Sequence, residues 1–472
     1  MTGAPVRWYR DPVRLTRLAV AAAAAAATAS AATHAALSPA FSSGDEAAHL
    51  DYAYQVWTGG LPVFEEGLVV QPPVGYAPPV QWVAQHPPLY YLLQAPVVGP
   101  LVDLGRPVLA AYAGRALNAL LAAALVLVVA WAAAQVAPRT PRLRVAAAVV
   151  VAASAWVARV GGAVYNDLLA AATATLVMGA TVALLRHGGS RARWALLAAA
   201  CAAALLTRAA LVVVIAACLA ALVIDAVVRS RGWRAVLTTS AAAAATLVVA
   251  VLPSSWFWWR NVRLTGDVLG GHPEWAAEHL DRVSRPWTDV LTDVGSWRAL
   301  WSLHSHDVLP RGTTTTVLLV VPVALALVGL AVVARREVPR AREHLAVLVA
   351  LGGPVVAVLG MQVLYAAGGG GLNARYLMPL LLPVGLAVGA GLTWSRRAAP
   401  WLLGAWAAAA SVENVVRVRR ALLSPPSDPL VHPGVALVAA SAAIVALTVT
   451  VALHARLCRV GGRPAVPQVA GD

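Results

Sequence analysis

The sequence predicts an all-α, polytopic membrane protein, and three observations predict it. Apolar residues fill 60% of 472 positions and charged residues only 12%, against about 45–50% and about 25% in soluble domains. The apolar residues gather into runs of about 17–25, the length that crosses a bilayer as a helix. The charges fall between those runs, and all 36 basic residues are arginine.

In order, residues 1–16 form an arginine-bearing tail. The run 17–37 reads as a retained first span. Its basic flank and small C-terminal residues are also signal-peptide marks, but no clear polar break precedes an A-x-A site. An outer segment follows at 38–107, in which residues 45–57 are expected to form an amphipathic helix at the membrane surface. Spans are expected at 108–137, 145–161, 164–185, 194–208, 209–228 and 235–256, then a second outer segment at 257–313. Further spans fall at 314–334, 344–365, 375–394, 398–414 and 434–455, before a tail at 456–472. This makes about twelve helices in one membrane domain, 17–455, with the pair meeting at Thr207-Arg208 readable as one kinked element.

Arginine-rich loops such as "PRTPRLR", "RHGGSRAR", "VVRSRGWR" and "ARREVPRAR" alternate along the chain. Assigning them to the cytoplasm gives that side most of the arginines and few of the 21 acids, which places both termini inside and both long segments outside. The net charge of +15 is therefore a topology signal. Nucleic acid is excluded as a partner, because the arginines form short clusters between spans rather than one basic stripe. Richness in Arg, Ala and Val fits a GC-rich bacterial genome and hence a bacterial cytoplasmic membrane. Cys201 and Cys218 lie in apolar runs and Cys458 follows the last one, which is no disulfide framework.

The first outer segment opens with "SSGDEAAHLDYAYQVWTGG". As a helix it places Leu50, Ala53, Tyr54 and Trp57 on one apolar stripe and Asp45, His49 and Tyr52 on the other face, with Glu46 about 100° from Asp45. Two readings stand. Acids in a first turn complement the helix dipole, worth about 0.3–1 kcal/mol. Alternatively, a carboxylate here is a general base for an attacking hydroxyl. No metal or other cofactor is expected, because D-E-x-x-H lacks the first histidine of H-E-x-x-H. Further on, "QHPPLYYLL" holds His86 ahead of two prolines and an aromatic belt.

Polar residues also recur at the outer ends of spans: Arg115 and Asn118, Arg159, Asn166 and Asp167, Arg208, Arg260 and Asn261, and Arg375 and Tyr376. Singly, each arginine reads as snorkelling to headgroups and Asp167 as a partner of Arg159. Charges at membrane depth are costly and tend to face a cavity or partner. Their common level predicts a polar outer chamber, and arginines there suit a phosphate.

The order of "GDEAAHLDYA", "QHPPLYYLL", "GRALN", "YNDLLAA", "WWRNVRLTGD" and "ARYLMPLLLP", spanning residues 44–383, resembles the GT-C superfamily of polyprenyl-phosphate-dependent glycosyltransferases. It is nearest the protein O-mannosyltransferase and aminoarabinose-transferase-like branch or a related bacterial membrane family. The resemblance implies an inverting hexosyl or pentosyl transfer from a polyprenyl-phosphate sugar to a hydroxyl on a lipid, protein or cell-wall polymer. It implies Asp45 as base, with Glu46 second and His49 beside them. It also implies donor-phosphate binding by Arg260 and Arg375, with Arg208 third, in a site that His86, Asp167, Asn261 and Tyr376 share. Arginine in "LLTRAA" stands where lysine is common, and no large soluble C-terminal domain follows. A transporter or flippase of lipid-linked saccharides is the alternative; it would carry midplane polar groups and paired broken helices.

Overall fold

A computed structural model describes residues 11–229, 232–301, 313–337, 341–424 and 429–460. Parts of both expected tails and residues 302–312 of the second outer segment lie outside the described residues. The described chain is helical: α1 Pro12–Leu37, α2 Gly44–Trp57, α3 Leu89–Asp103, α4 Pro107–Val136, α5 Pro141–Ala152, α6 Ala155–Gly161, α7 Asp167–His187, α8 Arg191–Thr207 and α9 Val212–Val228. Then come α10 Gly232–Thr265, α11 Pro273–Leu280, α12 Trp287–Thr292, α13 Val294–Trp301, α14 Thr313–Glu337, α15 Ala341–Ala367, α16 Leu381–Leu392, α17 Ala399–Leu423 and α18 Pro433–Val460.

All twelve expected spans are helical. Eight are long and apolar enough to cross a membrane, and α5 with α6 makes a ninth as a pair bent by 57°. The other three fall short in the described residues. α8 has 17 residues, α17 ends in an arginine-rich turn, and the part of α14 whose side chains are described, Val320–Val332, is too short by itself. The junction at Thr207-Arg208 separates two helices, because Arg208 is extended (φ −156°, ψ 119°).

Helix starts follow local chemistry. Asp11 caps α1 by accepting from the Val13 and Arg14 amides at 2.9 and 3.4 Å, and Pro12 occupies a first-turn position that needs no amide hydrogen. Small residues then let helices approach closely. Ala19, Ala23, Ala26 and Ala27 of α1 are fully buried against neighbours that include α18 and α4. One close crossing joins α14 to α16, where a Cβ on Gly329 would lie 2.0 Å from the Ala387 carbonyl oxygen. α7 is the most deeply buried of the eight candidate spans, and its first residue, Asp167, opens into the site.

The amphipathic-helix expectation changes in one respect. α2 has nearly the expected bounds, but its middle is covered on both faces: Leu50 and Ala53 are buried, and so are His49 and Tyr52, while Trp57 at its end is 43% exposed. The reason is the segment after it. Residues 61–88 fold back over α2, pinned by Asp51, which accepts from the Val70 amide (2.7 Å), Gln55 (2.8 Å) and Gln81 (2.5 Å). α3, a 15-residue apolar helix that is too short to span, packs on α2 and α4. Asp103 at its end accepts from Tyr54 and Trp57.

Candidate functional site

Two adjacent acids of α2 have opposite surroundings. Ser43 caps the helix, its hydroxyl accepting from the Glu46 amide at 3.5 Å. Glu46 turns inward. Both of its oxygens receive the Arg115 guanidinium at 2.7 Å, and they accept also from the Phe41 and Val164 amides at 3.0 and 3.2 Å. Arg115 in turn donates to the carbonyls of Ala35, Ser38 and Pro39 as α1 ends. These acceptors and donors satisfy one another, so the pair ties α1, α2 and α4 together.

Asp45, about 100° round the helix, points the other way, with a side chain 29% exposed against 2% for Glu46. Its carboxylate accepts from Nη2 of Arg375, 330 positions along the chain. Arg375 begins a 3₁₀ segment, Ala374–Leu380, that Asn373 caps through the Arg375 amide at 3.1 Å. Beside this pair, Asp167 accepts from Arg208 at 2.7 Å. The extended backbone at Arg208 places the guanidinium at the mouth of α7. The other Asp167 oxygen is buried without a hydrogen-bond partner. Tyr376 lies under both cations, its ring centre 5.8 Å from Arg208 and 5.4 Å from Arg375.

His49 and His86 form the floor. Their rings are parallel with centres 6.1 Å apart, and His49 Nδ1 meets the Tyr91 hydroxyl at 2.8 Å. Burial pulls His49 down to about 3, opposed by Asp167 and assisted by Arg375 and Arg208. Burial also holds His86 well below its ordinary value, with Arg208 adding to the effect. Both rings are neutral near pH 7. Tyr165 closes the wall, hydrogen-bonded to Ser43 at 2.5 Å and edge-on to His49.

The fold therefore gathers Asp45, His49, His86, Asp167, Arg208, Arg375 and Tyr376. Arg260 and Asn261 line a neighbouring hollow with Phe64, Glu65 and His272. There Arg260 donates to the Pro62 and Leu61 carbonyls at 2.6 and 3.4 Å, and Asn261 to the Val268 carbonyl at 3.3 Å. Asp167 does not pair with Arg159: Arg159 faces Glu413 of α17 at 3.7 Å, which Arg417 also holds at 2.9 Å. Sequence reasoning missed the Glu46–Arg115 pairing and the roles of Tyr91 and Tyr165. Arg115 and Asn118 at i, i+3 on α4 were the available signal. Asn118 accepts from Tyr90 at 2.9 Å and donates to the Tyr165 carbonyl at 2.9 Å, so it positions that wall. Among the described residues no group of three or more His, Cys, Asp or Glu side chains converges as a metal site.

No family model matches the chain, and no curated protein matches it. Solved structures do. The chain is similar to ArnT from Cupriavidus metallidurans bound to undecaprenyl phosphate, with a TM-score of 0.50 and 16% identity over 94% of this chain and 77% of that one. Apo ArnT from the same organism matches at 0.47 and 14%, over 91% and 75% of the two chains. The apo Archaeoglobus fulgidus oligosaccharyltransferase matches at 0.47 and 12%, over 93% of this chain and 56% of that one. At 16% identity the likeness to ArnT is one of fold alone: this chain shares the polytopic helical architecture of that structure.

Proposed function

We propose that the protein is an inverting membrane glycosyltransferase that moves a sugar from a polyprenyl-phosphate donor to a hydroxyl acceptor, with Asp45 as general base. One observation carries the reading. Of the two acids in "GDEAAH", only Asp45 is accessible, and it sits against Arg375 beside the Asp167–Arg208 pair. The fold, similar to a protein crystallised with undecaprenyl phosphate, supports a lipid-phosphate ligand for those cations.

In the proposed reaction the donor phosphate approaches Arg375 and competes with Asp45 for its guanidinium. The acceptor oxygen attacks the anomeric carbon as the carbon–oxygen bond to phosphate breaks. The hydroxyl proton passes to Asp45, and the bond electrons leave with the lipid phosphate, whose growing charge Arg375 and Arg208 stabilise. Neutral His49 and His86 hydrogen-bond without adding charge. The site opens at the end of the bundle where the two long segments lie, which the arginine bias assigns to the outside of a bacterial cytoplasmic membrane. In this proposal one membrane domain, residues 17–455, carries the reaction.

Membranes carrying the wild type or Asp45→Asn, supplied with radiolabelled polyprenyl-phosphate sugars, test this. Transfer should fall by about 10²–10⁴-fold in the variant. Undiminished transfer by Asp45→Asn overturns the base assignment.

A further inference from the structure

The charges of the chamber balance: Asp45 and Asp167 offset Arg375 and Arg208. The quartet carries no net charge, so a further cation would strengthen its hold on a phosphate. The second outer segment holds one. α11 ends at Asp281, in the left-handed region (φ 51°), and the next residue is Arg282. The segment is docked at that point, the Arg285 amide donating to the Ala367 carbonyl at 2.8 Å.

The surface beneath is the turn Gly368–Gly371, between α15 and the 3₁₀ segment that carries Arg375. A Cβ on Gly369 (φ +88°) would lie 2.8 Å from the Arg282 carbonyl oxygen, and one on Gly371 3.2 Å from Arg282 Nη2. The missing side chains let Arg282 lie close on the turn. Arg282 is half-buried, and among the described residues no carboxylate lies within ion-pair distance of it. It is also near the chamber. The Tyr365 ring packs on the same turn, 2.4 Å from where a Gly370 Cβ would lie, and it stands edge-on to Tyr376 at 6.0 Å. Tyr376 is the ring beneath Arg208 and Arg375.

We infer that Arg282 is a phosphate-binding residue, the surplus cation that the second outer segment brings to the lipid phosphate at the rim of the Arg208–Arg375 chamber. The inference rests on the proposed function. It gives the glycine-rich turn a purpose: side chains there would lift the segment and withdraw the cation. Because the leaving lipid phosphate carries more negative charge than the diester donor, Arg282 also favours departure.

Purified full-length protein in nanodiscs tests it, with undecaprenyl phosphate as the probe and undecaprenol, the same chain without phosphate, as its control. Wild type should prefer the phosphate. Arg282→Ala should bind it about tenfold more weakly, as expected for one charge-assisted hydrogen bond, while undecaprenol binding stays unchanged. Arg282→Lys should recover most of the loss, and Arg282→Gln replaces Arg282→Ala if that variant does not purify. Inorganic phosphate separates headgroup from tail: displacement of the lipid from wild type that weakens in the variant assigns Arg282 to the phosphate itself. Equal lipid affinity, or equal displacement, in wild type and variant overturns the inference. A wild type that does not distinguish the phosphate from undecaprenol overturns the proposed function instead.

Discussion

At the residue scale, Asp45 and Glu46 differ by one step of helix, and that step separates chemistry from architecture. Glu46 neutralises a buried arginine, so Glu46→Gln leaves the Arg115 guanidinium without its counter-charge. A cost of about 3–5 kcal/mol is expected, read as a lower unfolding midpoint in detergent. Asp45 is partly hydrated and its partner Arg375 keeps Asp167 nearby, so Asp45→Asn should leave that midpoint within about 0.5 kcal/mol of wild type while transfer collapses. If both variants lose stability equally, the division of labour between the two acids is wrong.

The histidine floor adds a pH dependence of definite sign. His49 and His86 bind protons less well in the fold than in the unfolded chain, where imidazoles titrate near their ordinary value of 6.5. As pH falls from about 6.5 toward 3 the unfolded chain takes up protons that the fold refuses, so stability declines. Asp51 works the other way, since burial raises its carboxyl above 3.8 and the fold then holds that proton more tightly. The unfolding midpoint should drop between pH 7 and 4, with a shallower slope in His49→Gln; a pH-independent midpoint would count against neutral, buried imidazoles.

At the element scale, two helix interruptions aim the site. The extended residue at Arg208 turns a guanidinium toward α7, and the 3₁₀ segment at Ala374–Leu380 presents Arg375 and Tyr376 together. Position depends on packing behind them. α16 continues from that segment and is set by its crossing with α14, where Gly391 would place a Cβ 2.1 Å from the Leu325 carbonyl oxygen. Gly391→Val should force the helices apart at a cost of about 1–3 kcal/mol. It should also reduce transfer, because the displacement carries Arg375 with it; unchanged thermal stability and activity would show that this crossing does not hold the site.

At the scale of the whole molecule, the two long segments between spans interlock beside the chamber. Phe64 of the first stacks on His272 of the second with ring centres 3.6 Å apart, and Arg260 donates to the Pro62 carbonyl. The second segment then reaches the glycine-rich turn beside Arg375. A ligand held among these parts stabilises the folded state by mass action, about 2.7 kcal/mol at a hundred times its Kd. Undecaprenyl phosphate should therefore raise the unfolding midpoint more than undecaprenol does, and equal shifts would mean that the phosphate is not recognised.

The sequence by itself determined that the chain is helical and membrane-spanning, where its helices lie, and which acids and arginines stand at helix ends. Composition and the 3.6-residue period are local properties and can be read one segment at a time. α2 and its cap were legible for the same reason. Only the tertiary structure decided that the middle of α2 is covered on both faces, that Glu46 belongs to Arg115 and Asp45 to Arg375, and that Arg208 rather than Arg159 meets Asp167. The Asp45–Arg375 contact joins residues 330 positions apart, and helical periodicity carries no information about which distant arginine reaches a given acid. Partner choice follows from how small residues let helices approach and where a helix breaks. Those are properties of the packed bundle, and they turn a list of polar helix ends into a chamber with two balanced ion pairs.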